Sequence, residues 1–294
     1  MPQGLAGPSV SEGSALDLPQ SRAAVGVANC VIERAPPAAR SDRSDVRSPT
    51  PANLQSTPAL PLRKTHCRTC ALLDRCLPAE ASTEIVRVFD AIVGRQRRLA
   101  KGDVLFQAGN AFRAIYVVRT GSLGTKIYLE DGREQTSGYH IGGDVVGLDG
   151  VADDRHACAA VALEEGEVCA VPFERLEALA SASVALQRNV RQILAREIDR
   201  VRHHALALRG MTAEQRLASF LLDLSERYRR IGHSAKDFVL HLSRAEIGSY
   251  LGVKSETVSR ILANLHASGA IHLRRRSVKV CDAALLSRLR YRRS

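Results

Sequence analysis

Residues 243–266, with the sequence SRAEIGSYLGVKSETVSRILANLH, decide the fold of the C-terminal part of the chain. The first four residues, from Ser243 to Glu246, form a capping-box pattern that marks the start of a helix. Gly252 can adopt the positive φ of a tight turn, and a second helix is predicted over 255–266. Apolar residues fall where two crossed helices bury their contacts. The pattern predicts a helix-turn-helix, with an ordinary pair of core helices as the alternative.

The second helix of such a motif carries the residues that read DNA sequence, because its N-terminal residues face base edges in the major groove. Arginine can donate two hydrogen bonds to guanine, and glutamate can accept one from cytosine. The residues predicted to contact bases are Ser255, Glu256, Ser259 and Arg260. Arg244 and Lys254 are predicted to contact phosphates instead.

Basic charge is concentrated around this motif. The chain has a formal net charge of +11, and its last 55 residues hold 11 Lys and Arg against 3 Asp and Glu. A local basic excess is typical of a phosphate-binding surface, although a solvated tail gives the same count. Residues 271–273 and 277–280 are predicted to form a β-hairpin wing that carries Lys279 and three arginines.

The chain upstream of the motif changes character twice. Seven short β-rich runs separated by glycines over 99–172 predict a small barrel or roll. A helical pattern follows over 173–210, and its apolar residues step by 4, 3, 4 and 3 positions: Leu194, Ile198, Val201, Ala205 and Leu208. This a/d seam favours a dimer helix over a helix packed only on its own domain.

The first 62 residues hold nine of the eleven prolines, and we expect them to form a disordered tail. The remaining predicted segments are a cysteine loop and β-roll over 63–172, a dimerisation helix over 173–210 and a winged helix-turn-helix over 211–294. No run approaches the roughly 18 apolar residues of a membrane helix, and no secretory signal is recognisable. We therefore expect a cytoplasmic protein with no membrane partner.

Three of the seven cysteines are clustered, at Cys67, Cys70 and Cys76. In a chain without an export signal, such a cluster indicates metal binding or redox chemistry rather than disulfides. A Cys-x2-Cys loop can wrap one face of an iron–sulfur cube, but four thiolates also suit structural zinc. Cys158 is expected to be a buried strand residue and Cys281 a core residue.

The order of roll, long helix and winged motif resembles the CRP/FNR superfamily of bacterial transcription regulators over about residues 64–285. The resemblance is carried by AEIGSYLG at 245–252, by ETVSR at 256–260, by Gly121 and by the pair Gly143 and Asp144. It implies an α+β fold with an N-terminal double-stranded β-helix of the cyclic-nucleotide-binding type. It also implies a homodimer that binds double-stranded DNA and contacts RNA polymerase.

The effector of the cyclic-nucleotide branch is not expected to bind. That branch grips the phosphate with an Arg-Ser or Arg-Thr pair, whereas the corresponding stretch here is HACAA at 156–160. Arg155 lies a few residues too early and no hydroxyl follows it. A buried phosphate without a cation and donors is costly, so we expect no cyclic nucleotide as a partner.

The cysteines resemble those of the FNR branch, whose members respond to oxygen. That branch has the Cys67, Cys70 and Cys76 spacing and a fourth ligand in the context of VCAVPF, found here at 168–173. The resemblance implies one [4Fe–4S] cluster per subunit, held by these three residues and Cys169, with zinc or no metal as the alternative. It also implies a palindromic TTGAT…ATCAA type of site and a polymerase contact at 129–133.

Three residues depart from the FNR pattern. Ser255 replaces an apolar residue, which leaves one base preference open, and Arg75 places a charge beside Cys76. Val201 is apolar where a charge is expected to oppose association, so the dimer could persist without a cluster. A redox enzyme is the rival class, but no nucleotide loop, hydrolytic constellation or second cofactor motif supports it. A regulator with a thiol or zinc switch is the other rival.

Overall fold

The computed structural model describes residues 66–93 and 96–291, and the tail predicted over 1–62 lies outside them. The described residues form a cysteine loop, a β-roll, a long helix and a winged helix-turn-helix, in chain order. The predicted α+β fold class is therefore confirmed.

Eight strands build the roll as two four-stranded antiparallel sheets. The strands are β1 (Gln96–Leu99), β2 (Val104–Phe106), β3 (Ala114–Thr120), β4 (Ser122–Tyr128), β5 (Glu134–Ile141), β6 (Val145–Val146), β7 (Ala159–Ala162) and β8 (Gly166–Pro172). Their order is β1-β8-β3-β6 in one sheet and β2-β7-β4-β5 in the other. The sequence predicted all of them except β1, whose QRRL pattern contains one buried residue and no apolar alternation.

The roll closes around a small apolar core that includes Val118, Leu123 and Ala160. Gly121, between β3 and β4, has a φ of 77°. A Cβ there would lie 2.8 Å from the carbonyl oxygen of Glu165. Only glycine accommodates this close crossing of two turns, because it has no Cβ and tolerates positive φ.

The cysteine loop lies on the outside of the β1-containing sheet. It comprises two 3₁₀ turns, Cys67–Thr69 and Leu73–Arg75, and leads into helix α1 (Thr83–Ile92). Phe89 of α1 and Leu77 of the loop are each 1% exposed and pack in one apolar cluster with strand residues of β3 and β8. This packing fixes the loop against the end of the roll that carries Cys169.

The segment predicted as one dimerisation helix consists of two helices, α2 (Phe173–Ser181) and α3 (Val184–Gly210). Ser183 caps α3, because its hydroxyl accepts a hydrogen bond from the Leu186 amide at 3.3 Å. Leu186 and Asn189 are the residues of α3 that are buried. Later turns of this 27-residue helix contact the roll and the winged domain, since Arg200 donates to the Tyr139 carbonyl at 3.4 Å and His204 stacks on Tyr250.

The winged domain contains four helices and a three-stranded sheet. Its elements are α4 (Ala213–Arg230), β9 (Asp237–Val239), α5 (Arg244–Leu251), α6 (Ser255–Ala267), β10 (Ile271–Arg274), β11 (Ser277–Val280) and α7 (Ala283–Tyr291). The domain core is continuous with roll residues Tyr139, Ile141 and Leu163. Among the described residues, no helix combines the length and apolarity needed to cross a bilayer.

Candidate functional site

The helix-turn-helix is built by the local signals that its sequence contains. Ser243 accepts a hydrogen bond from the Glu246 amide at 3.1 Å, and the Glu246 carboxylate accepts one from the Ser243 amide at 2.8 Å. Gly252 ends α5 with φ 64° and ψ 42°. A Cβ on Gly248 would lie 2.6 Å from the carbonyl oxygen of Val253, so a small residue lets α5 approach the turn.

The predicted base-contacting residues share the outer face of α6. Val258, Ile261, Leu262 and Leu265 bury the inner face of this helix. Glu256, Ser259 and Arg260 are exposed, and Ser255 is half-buried and donates a hydrogen bond to the Glu256 carboxylate at 3.0 Å. The outer face therefore presents a carboxylate, two hydroxyls and a guanidinium, which are groups suited to base edges.

The wing adds basic charge beside this helix. Arg274, Arg275, Arg276 and Lys279 are exposed on and around the β10–β11 turn. Arg244 is half-buried, and its guanidinium donates to the Arg275 carbonyl at 3.2 Å. Burial, with a contribution from Arg276, lowers the pKa of Arg244 below its ordinary value. Arg244 thus ties the wing to α5, whereas Lys254, at the start of α6, is exposed.

The four predicted ligand cysteines line a single cavity. Cys67 and Cys70 come from the first turn of the loop, Cys76 follows the second turn, and Cys169 lies in β8, where it pairs with Gln96 and Val117 of the neighbouring strands. The rest of the lining is mostly apolar and consists of Leu72, Leu73, Pro78, Phe89, Val93, Gln96, Val117 and Arg119. Residues that are far apart in the sequence therefore present four thiols to one small space.

The protein environment opposes ionisation of three of these thiols, those of Cys67, Cys76 and Cys169. Burial raises the pKa of Cys76 to about 12 and that of Cys169 to about 11, and in both cases neighbouring cysteines add to the effect. Burial and the adjacent Asp90 carboxylate also raise the pKa of Cys67. Close thiols whose pKa is raised by burial are typical of a site that ionises when a cation binds. Across residues 66–93 and 96–291, no three Cys, His, Asp or Glu side chains converge as ligands of a single ion would.

Two side chains that the sequence analysis missed hold the ends of the cysteine loop. Asp90 of α1 accepts hydrogen bonds from the Cys67 amide at 2.8 Å and from the His66 ring at 2.7 Å. Asn189 of α3 donates to the Leu77 carbonyl at 3.1 Å and to the Ala79 carbonyl. The sequence signal for Asn189 was a polar residue on the apolar stripe formed by Leu186, Val190 and Ile193.

The other cysteines lie outside this cavity. Cys158 is buried, as predicted, and donates a hydrogen bond to the Asp149 carboxylate at 3.4 Å. Cys281 is exposed, so the expectation of a core residue was wrong. Residues of β11 alternate between exposed and buried, and Cys281 directly follows the buried Val280, which places it on the exposed side.

The predicted seam residues form an exposed apolar stripe along α3. Leu194 and Leu208 are each 37% exposed, Ile198 is 51% exposed and Val201 is 59% exposed. Ala205 is also exposed. These side chains span about 21 Å of a helix that is about 40 Å long, and a partner helix could cover them over that length.

The side chains at the positions where the cyclic-nucleotide branch binds phosphate make other contacts here. Arg155 donates to the carbonyl of Gly109 at 2.9 Å, and the His156 ring stacks on Phe106 at 3.8 Å. His140 is buried, and burial lowers its pKa well below the usual value, followed by smaller effects of Arg200 and Arg227. A neutral imidazole is a poor partner for a phosphate dianion or monoanion.

Comparisons with known proteins agree with this architecture. A cyclic nucleotide-binding domain model matches residues 96–183, and a Crp-like helix-turn-helix domain model matches residues 215–289. The chain is 39% identical over 228 residues to the transcriptional activator protein anr of Pseudomonas aeruginosa, covering 78% of this chain and 93% of that protein. It is 33% identical over 224 residues to the fumarate nitrate reduction regulatory protein of Klebsiella oxytoca, covering 76% and 90%. The solved structure of FixK2 from Bradyrhizobium japonicum superposes with a TM-score of 0.63 at 30% identity, covering 69% of this chain and all of that one.

Proposed function

Because the chain belongs to the CRP/FNR family of DNA-binding transcription regulators, which are not enzymes, we propose that it is an oxygen-responsive member of the FNR branch. Its DNA binding would depend on an iron–sulfur cluster in the cysteine cavity. The observation that carries this proposal is that Cys67, Cys70 and Cys76 share one cavity with Cys169. The similarity to an activator and to a fumarate nitrate reduction regulator supports the branch.

The donor set fits one [4Fe–4S] cluster per subunit, because four thiolates are the usual ligands of such a cluster. When bound, the cluster would supply iron and sulfide that dioxygen can oxidise, with Cys67, Cys70, Cys76 and Cys169 as the residues that would hold it. Four thiols are also the donor type of structural zinc, which stays the alternative, although the described side chains do not converge as the ligands of a single ion would.

The chain's own residues would retain the loop and restrict water. Leu72, Phe89 and Val93 line the cavity with apolar surface. Asp90 holds the Cys67 end of the loop on α1. Ligation would therefore connect the loop to β8, two elements that share an apolar cluster.

The α3 stripe would be covered by the same stripe of a second copy. Dimerisation is typical of this family, and an a/d seam buries its apolar residues against a parallel partner helix. Leu194, Ile198, Val201, Ala205 and Leu208 are the residues we assign to this contact. A homodimer places two recognition helices about 34 Å apart, which is one turn of DNA.

Each recognition helix would read one half of a palindromic TTGAT…ATCAA type of site. We assign guanine recognition to Arg260 and cytosine recognition to Glu256, since these pairings follow from donor and acceptor geometry. Ser255 and Ser259 lie on the same outer face. Arg244, Lys254 and the wing arginines would contact phosphates, and Arg244 would also position the wing.

RNA polymerase is the second proposed partner. Tyr128 is 50% exposed and Leu129 is 37% exposed at the tip of the β4–β5 hairpin. This tip, with residues 129–133, presents an apolar and charged surface away from the roll core. At some promoters the contact would activate transcription, and at others DNA occupancy would repress it. We propose no cyclic nucleotide as effector, and we place the protein in the cytoplasm, where bacterial DNA is.

Anaerobic purification followed by metal and sulfide analysis tests the cofactor. We expect about four iron atoms and four acid-labile sulfides per chain, and a coloured protein. Cys169→Ala should lose the cluster, whereas the matched control Cys281→Ala should keep it, because Cys281 is exposed and outside the cavity. A colourless protein with one zinc per chain would contradict the proposal and favour the zinc alternative.

A further inference from the structure

The first turns of α3 are hydrogen-bonded directly to the cysteine loop. Asn189 is 8% exposed, and its side-chain amide donates to the carbonyls of Leu77 and Ala79. These carbonyls lie one and three residues beyond Cys76. A movement of the segment that follows Cys76 therefore acts directly on Asn189, without any contact in the roll as an intermediate.

Apolar packing accompanies these hydrogen bonds but does not replace them. Leu77 is 1% exposed and shares a cluster with Leu186, Val190 and Ile193 of α3. Such contacts are non-directional and tolerate sliding. Hydrogen bonds from one planar amide to two carbonyls fix direction as well as distance, so Asn189 sets the register between loop and helix.

An asparagine is an unfavourable choice at this position unless its amide is used. Asparagine is a weak helix former, and a buried amide without partners is costly. Residues that break a local rule in this way tend to mark sites where function requires them. Asn189 lies five residues, or about 7.5 Å along the helix axis, before the seam residue Leu194.

We propose that Asn189 is the positioning residue that couples the cysteine site to the dimer seam. Ligation of Cys76 orders the segment after it, the ordered carbonyls of Leu77 and Ala79 hold Asn189, and α3 then presents Leu194 and Ile198 in the orientation that a second copy accepts. Loss of ligation releases that hold. This inference rests on the proposed function, because it requires a cluster whose presence favours the dimer.

The coupling is measured by comparing dimer dissociation constants with and without the cluster. Sedimentation equilibrium of the full chain under anaerobic conditions gives both values, before and after removal of iron by a chelator. For the wild type, the cluster is expected to tighten the dimer by a factor within the usual allosteric range of about 5–150. In Asn189→Leu, which keeps the branched outline of the side chain but cannot donate, that factor should fall to within about twofold of one.

Matched variants separate coupling from simple loss of structure. Arg188→Ala, at an exposed neighbouring position, should keep the wild-type factor. Asn189→Ala is the second variant if Asn189→Leu does not fold. Because coupling is reciprocal, the rate of iron loss from the wild type should fall as protein concentration rises through the dimer dissociation constant. The Asn189 variants should lose this dependence.

The possible outcomes distinguish this inference from the function on which it rests. A wild-type dimer dissociation constant that is the same with and without the cluster contradicts the proposed function. The role of Asn189 is overturned if the cluster tightens the wild-type dimer and tightens the dimers of iron-binding Asn189 variants by the same factor. Failure of both Asn189 variants to bind iron also overturns it, since the residue would then build the site rather than couple it.

Discussion

Arg227 joins the roll to the winged domain, and its replacement should weaken the contact between the two. Its guanidinium donates to the Tyr139 carbonyl at 2.8 Å and forms an ion pair with Asp144. The Arg227 side chain is 13% exposed. Burial opposes its charge, but the carboxylates of Asp144 and Asp223 outweigh that effect and raise its pKa. The arginine therefore remains charged at the interface at every accessible pH.

Arg227→Met keeps most of the aliphatic stem and removes the guanidinium. Breaking a buried ion pair by removing one partner costs about 3–5 kcal/mol. The Asp144 side chain is 29% exposed and still accepts a hydrogen bond from the Ile141 amide, so part of its charge remains solvated. We therefore expect a loss of about 2–3 kcal/mol in the free energy of unfolding.

Urea unfolding followed by far-ultraviolet circular dichroism measures this loss, because the chain contains no tryptophan. The matched control is Arg229→Met. Arg229 is 64% exposed and pairs with Glu226 on the same helix, so its loss should change stability far less than the loss of Arg227. Asp144→Asn completes a double-mutant cycle. Equal stability of the Arg227→Met and Arg229→Met proteins would refute the assignment of Arg227 as a structural link.

Three further predictions test the DNA-binding surface and the roll. Gly248→Val should lower the free energy of unfolding by about 1–3 kcal/mol through overpacking, since its Cβ would lie 2.6 Å from a backbone oxygen. Thermal unfolding measures this loss, and Gly248→Ala is the milder comparison. Arg260→Ala should reduce the ratio of specific to random DNA affinity by about 10-fold or more, whereas Lys279→Ala should weaken both equally; an unchanged ratio for Arg260→Ala counts against the base assignment. His140→Leu should remove part of the pH dependence of stability. Burial lowers the pKa of His140 below 6.5, so below pH 6.5 the unfolded wild type binds a proton that the folded protein does not. The free energy of unfolding of the wild type should therefore fall there by up to about 1.4 kcal/mol per pH unit. The free energy of unfolding, measured at pH 7.5, 6.5 and 5.5, should fall less for His140→Leu than for the wild type. An equal fall in the two proteins would exclude this role for His140.

Local signals explain why the helix-turn-helix was predictable from sequence. The capping box at Ser243 and Glu246 and the positive φ of Gly252 are decided by residues within a few positions of one another. Strand runs of the roll were visible for the same reason. The alternation of β11 predicts that Cys281 points outward, and at this position it overrides the general tendency of cysteine to be buried.

Long-range contacts were not readable in this way. No local rule connects Cys169 to the clustered cysteines, and only the family resemblance linked them before β8 was placed between β1 and β3. Asn189 contacts carbonyls more than one hundred residues earlier in the chain. Asp90 is half-buried on a short helix, and no local sequence pattern distinguished it. The sequence therefore located the chemical groups of the site, but the fold was needed to identify the residues that hold them in place.

The most direct test of the central claim follows cluster and DNA affinity in one sample. Anaerobically purified protein is mixed with a labelled palindromic DNA of the TTGAT…ATCAA type, and fluorescence anisotropy and visible absorbance are recorded before and after air is admitted. We predict that affinity for this DNA falls by one to two orders of magnitude, in step with the loss of cluster absorbance. Affinity that stays unchanged while the absorbance disappears would contradict the claim that the cysteine site controls DNA binding.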